Sequence, residues 1–190
     1  MNLQNPNRVI SIIAALVAVI GITASQSSAA EGPLKTVDKK FLLEKAPTRA
    51  AEVAATRKDA KDGQEVVVVG RVGGRKSPWV KNAAAFSIVD RSLKACSERP
   101  GDTCPTPWDF CCEADLPKST LLVLVQDADG KLIKKDAREL LGLKELDTVF
   151  IQGKAKRDKT GNVTLVADKF FVAEKDSQKP ADAEKKEAAK

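Results

Sequence analysis

The chain has 190 residues, room for one domain of ordinary size plus tails. Only 4% of residues are aromatic while 31% are charged, which suits a modest β core with polar extensions and argues against a large enzyme; His is absent, which removes the commonest general base and the commonest neutral metal ligand. The formal charge of +6 divides into +1 from Arg8 in residues 1–30, +2 over residues 31–62, +3 over residues 63–173 and zero over residues 174–190, so no segment carries the basic stripe of a dedicated nucleic-acid binder.

Residues 1–30 read as a secretory signal. Asn2–Arg8 is polar and ends on a positive charge, Val9–Ala24 is an apolar run of 16 residues, and Ser28-Ala29-Ala30 is a small-residue cleavage site. The run is short of the roughly 20 residues that cross a bilayer as a helix; an uncleaved anchor is the alternative. Cleavage before Glu31 would leave an exported chain with no further span, placed in the periplasm or secreted.

Residues 31–62 form an Ala-rich extension, in which Thr48 is a candidate cap for a short helix running through Ala60. The β signals follow. Gln64–Val72 is rich in β-branched residues, and its unbroken Val66–Val69 implies burial on both faces. Gly70 inside it marks a bend. Ala84–Val89 and Thr120–Gln126 are the second and third strands. Asp127-Ala128-Asp129-Gly130 is a turn; it opens like a calcium loop but lacks the closing Glu and the other oxygen ligands. Asp136-Ala137-Arg138-Glu139 has the form of a capping box, and Gly142 would end that short helix. Asp147–Arg157 and Val163–Val172 are the last two strands, joined by a hairpin turn at Lys159–Asn162. Residues 174–190 alternate in charge and contain no large apolar side chain, the composition of a solvated, disordered tail.

The resulting order is three strands, a helix and two strands over residues 63–173, the order of a five-stranded OB-like β-barrel. The residues resemble that class too. Gln64–Val72 followed by Ala85–Asp90 resembles the opening strands of anticodon-binding OB domains, and Thr148–Gly153 resembles their fourth strand. Cys104-Pro105-Thr106-Pro107-Trp108-Asp109-Phe110-Cys111-Cys112, with the Gly-Arg-Val-Gly-Gly strand, is similar to a family of exported bacterial proteins. That likeness implies fold and compartment, and no activity.

All four Cys fall in one insertion, residues 91–119, between the second and third strands. In an exported chain an even number of Cys points to disulfides. Pairing Cys111 with Cys112 would close a strained ring, so each is expected to reach back separately, to Cys96 and Cys104 in either order. A metal held by all four thiolates would want two separated Cys knuckles, and the spacings here do not supply them. A thioredoxin-like redox motif is also missing.

OB-folds that bind nucleic acid stack bases on aromatics inside a positive groove. The candidate ligand-binding residues here are Phe86, Trp79 and Trp108, with Arg71, Arg75, Lys76 and Lys81. Phe86 shares a face with Ile88 and so also reads as core. Trp108, between Pro107 and the Cys pair, reads as the hydrophobic plug of the loop, leaving Trp79 with Arg75 and Lys76 exposed. The functional expectation is a non-enzymatic exported module, without cofactor or metal, that binds a protein or glycan. Extracytoplasmic binding of single-stranded nucleic acid is the second reading, and a Cys-based metal or redox protein is the third.

Overall fold

The computed structural model describes residues 38–173. The expected signal, the start of the Ala-rich extension and the charged tail lie outside the described residues. Within them the elements run β1 (Ala51–Glu52), α1 (Val53–Asp59), β2 (Glu65–Val72), β3 (Ala85–Val89), β4 (Thr120–Val125), α2 (Ala137–Leu141), β5 (Thr148–Arg157) and β6 (Val163–Val172). No helix among the described residues is long and apolar enough to cross a membrane.

The five strands β2 to β6 close into a barrel. Their order is β2-β3-β4-β6-β5, and β5 returns to pair with β2. Only β4 and β6 run parallel within the barrel; β1 adds in parallel outside it, against Val68 and Val69. With α2 between the third and fourth barrel strands, this is the OB-like arrangement expected from the order of sequence signals.

Period-two alternation explains which side chains fill the barrel. In β4, Leu121, Val123 and Val125 are buried while Leu122 faces out. Phe86 and Ile88 from β3 meet Ile151, Leu165 and Phe170 in the same core. Each such side chain gains roughly 1.5–3 kcal/mol on burial, before the entropy of ordering it is subtracted. In the Val run of β2, Val68 and Val69 are both buried, as an unbroken apolar stretch implies.

Two helices differ in how closely they follow expectation. Asp136 caps α2, accepting from Arg138 N at 2.9 Å, and Gly142 closes it at a φ of 68°. The helix expected from Thr48 is shorter: Ala51 and Glu52 are extended and paired with β2, so α1 starts only at Val53. Strand pairing overrides the helix preference of Ala. Its cap comes from a distance, because the Asp90 carboxylate at the end of β3 accepts from Ala54 N at 2.8 Å. At its other end, the Arg157 guanidinium donates to the carbonyls of Arg57 and Ala60 at 2.7 and 2.9 Å.

The insertion has its own small core. Leu93, Ala95, Phe110 and Leu116 pack with Val89. Single turns of 3-10 helix at Cys96–Glu98 and Leu116–Lys118 bracket it.

Candidate functional site

The insertion is fastened to the end of β2. Gly74 and Asp109 form a β-bridge, Phe110 N donates to Gly74 O at 3.0 Å, and Cys96 N donates to Asp109 O at 2.8 Å. Residues 109–110 are thus held between the strand end and the turn that carries Cys96. Thr106–Asp109 makes a β-turn closed by Asp109 N to Thr106 O at 2.8 Å, with Pro107 at its first corner. Trp108 occupies the second corner.

That turn reverses the roles expected for the aromatics. Phe110, wholly buried, is the plug of the loop. Trp108 is half-buried, and its indole N–H donates to Lys76 O at 3.3 Å. Trp79 is half-buried, and the cation it meets is Arg138. Its ring packs on Phe86 with centroids 5.9 Å apart, its indole N–H donates to Glu145 Oε1 at 2.6 Å, and the Arg138 guanidinium lies 5.5 Å over it. Phe86 is core, as its alternation allowed.

The basic candidates separate in the same way. Arg71 is buried, with a two-pronged contact to Glu98 at 2.8 and 2.9 Å, and its guanidinium lies 5.6 Å over the Phe110 ring. Burial alone would raise the Glu98 carboxyl, but hydrogen bonds from Arg71 and the Ala95 N–H hold it below its ordinary value. Arg75, Lys76 and Lys81 are exposed. Backbone pairing sets Arg75 and Lys76 beside Trp108, while Lys81 sits farther along the β2–β3 connection. Glu98, Glu145 and Arg138 were not legible as partners, since each lies far along the chain from the residue it serves.

No two of the four cysteine sulfurs stand at bonding distance. The closest sulfurs, those of Cys96 and Cys111, are 3.5 Å apart, against about 2.05 Å for a bond. Cys111 and Cys112 are both exposed; the Cys111 sulfur lies toward that of Cys96, and the Cys112 sulfur is 3.9 Å from that of Cys111. The sulfurs of Cys96, Cys104 and Cys111 all lie within 4.8 Å of one another. Burial pushes the Cys96 thiol up to about 12, helped by its hydrogen bonds with the neighbouring thiols. Cys104 is held below its ordinary value, chiefly by the Thr106 hydroxyl.

Asp127 Oδ1 accepts from Asp129 N and Lys131 N at 3.0 and 2.9 Å, the pattern of a side-chain-stabilised turn. A cavity of about 350 Å³ is lined by Ala54, Arg57, Lys58 and Lys118, and none of the sequence-predicted residues lines it.

No family model and no curated protein matches this chain. Among solved structures, one described as OBody AM1L10 bound to hen egg-white lysozyme is similar over 70% of this chain and 99% of its own, at 15% identity and a TM-score of 0.37. The OB-like fold is carried by the closed strand order.

Proposed function

We propose that this chain is an exported, non-enzymatic OB-type module that binds an anionic glycan at the surface made by Arg75, Lys76 and Trp108. The observation that carries the reading is the half-open indole of Trp108, anchored through its N–H to the backbone carbonyl of Lys76 at 3.3 Å, with Lys76 and its neighbour Arg75 both exposed. An indole face covers a sugar ring while keeping a polar edge wet, and the cations take carboxylates or sulfates. The signal-like pattern of residues 1–30 and the OB class, which binds oligosaccharides among other ligands, support the same reading.

Single-stranded nucleic acid is the weaker reading. Successive bases need successive stacking platforms. Phe86 is committed to the core, the half-buried Trp79 is packed against it and bonded to Glu145, and Arg71 is engaged by Glu98.

Titration of the chain lacking residues 1–30 with polygalacturonate, neutral dextran and oligo-dT, followed by tryptophan emission, tests the proposal. Salt-sensitive binding of polygalacturonate alone is expected, weakened about tenfold by Trp108→Ala and by a joint Arg75→Ala and Lys76→Ala change. Binding of oligo-dT in preference, or polygalacturonate binding that ignores these substitutions, would overturn it.

A further inference from the structure

Three sulfurs converging from three separate turns is not the geometry of a pair of bridges. Cys96, in the first 3-10 turn, is wholly buried. Cys104 is half-buried, with its backbone N–H on Asp102 Oδ2 at 3.1 Å. Cys111 directly follows the buried Phe110 plug. We propose that Cys96, Cys104 and Cys111 form a three-thiolate site for a single Cu(I) ion. The site is separate from the glycan surface and does not depend on it.

Distance is the first argument. Two thiolates held at about 2.3 Å on one ion, set trigonally, lie about 4.0 Å apart. The three sulfurs here fall within 4.8 Å of one another, and the Cys96–Cys111 pair is at 3.5 Å. Small side-chain rotations complete such a set. A disulfide would consume two of the three and strand the last, and Cys112 is not one of the converging group.

Ligand chemistry selects the ion. The chain contains no His, and the nearby carboxylates are engaged: Glu98 by Arg71, Glu113 by Arg99 at 2.6 Å, and Asp109 by Phe110 N at 2.6 Å. What remains is sulfur. Structural zinc closes a tetrahedron of four ligands, whereas an all-thiolate set that falls short of four suits soft Cu(I). The step is ligand exchange without redox change: copper–sulfur bonds form, and displaced thiol protons pass to solvent. The gradient from buried Cys96 to exposed Cys111 leaves the ion a path in from the surface.

The test uses the chain lacking residues 1–30, reduced and held without oxygen, with Cu(I) titrated against a chromogenic Cu(I) chelator. One equivalent of copper should be withheld from the chelator. Cys96→Ser, Cys104→Ser and Cys111→Ser should each weaken binding by about a hundredfold or more, and Cys112→Ser by less than about threefold. Cys104 is only half-buried, so Cys104→Ser should keep the wild-type circular dichroism, which separates ligand loss from unfolding. Failure to withhold copper would overturn the proposal. So would equal damage from Cys112→Ser, tighter retention of Zn(II) that needs Cys112, or a mass four hydrogens short in the protein as exported.

Discussion

Phe110 lies so close to Gly73 that a β-carbon on Gly73 would come within 2.5 Å of its ring carbon Cε2. The bare end of β2 and the aromatic of the insertion are therefore one unit, although 37 positions separate them in the chain. Gly74, at a φ of 147° and with Ser87 Oγ 2.9 Å from where its β-carbon would stand, continues the same close approach. The insertion is built onto the barrel by this contact, and the thiols and Trp108 are placed by it.

Gly73→Ala should therefore cost about 1–3 kcal/mol, the usual penalty for forcing a methyl into a packed interior. Combining it with Phe110→Leu should recover part of the loss, because the two positions share one space. Urea unfolding of the single and double variants measures both terms. A Gly73→Ala variant as stable as wild type would mean that Phe110 is not seated there.

The Arg71–Glu98 pair should respond asymmetrically. The Arg71 side chain is 10% exposed and that of Glu98 is 39% exposed. Glu98→Ala leaves a buried guanidinium without its carboxylate and should cost about 2–4 kcal/mol. Arg71→Met leaves a carboxylate that water can reach and keeps an apolar stem over Phe110, so it should cost about 1–2 kcal/mol. Equal losses in denaturant melts would contradict the burial difference.

The barrel was legible because its signals are local. Alternation in Thr120–Val125, the Val run in β2, the Asp136 cap and the Gly142 stop each need only a few neighbouring residues. The site was not, because its contacts pair distant positions. Pairing of Ala51 and Glu52 with β2 displaced the expectation for Thr48, and nothing near Ala54 announces the carboxylate that arrives from Asp90 to cap α1. That Phe110 and not Trp108 is the buried plug has the same origin. Both are aromatics in one short Pro-containing stretch, and only the β-turn at Thr106–Asp109 decides which of them turns inward. The convergence of three thiols, with Cys112 left outside, could not be read from spacing.

The two Trp residues should separate cleanly in stability measurements. Trp79 packs on Phe86 and bonds Glu145, so Trp79→Ala should cost about 2–4 kcal/mol. Trp108 stands at a turn corner, and Trp108→Ala should cost under about 1 kcal/mol. The denaturation midpoints of the two variants decide the matter, and the reverse order would restore Trp108 as the plug of the loop.

The β5–β6 hairpin should be acid-sensitive through Asp158. Hydrogen bonds from Thr160 and Asn162 hold its carboxyl down to about 2, against about 3.9 in an unfolded chain. Because the folded value is the lower one, the unfolded state takes up the proton first as pH falls. The stabilisation is therefore complete above about pH 4 and disappears as pH drops toward 2. Its size is small, since the carboxylate is exposed, but its pH window is defined. Asp158→Ala should melt below wild type at pH 7, and the gap between their Tm values should narrow between pH 4 and 2. A gap that stays constant to pH 2 would mean that the turn holds Asp158 by shape and not by charge.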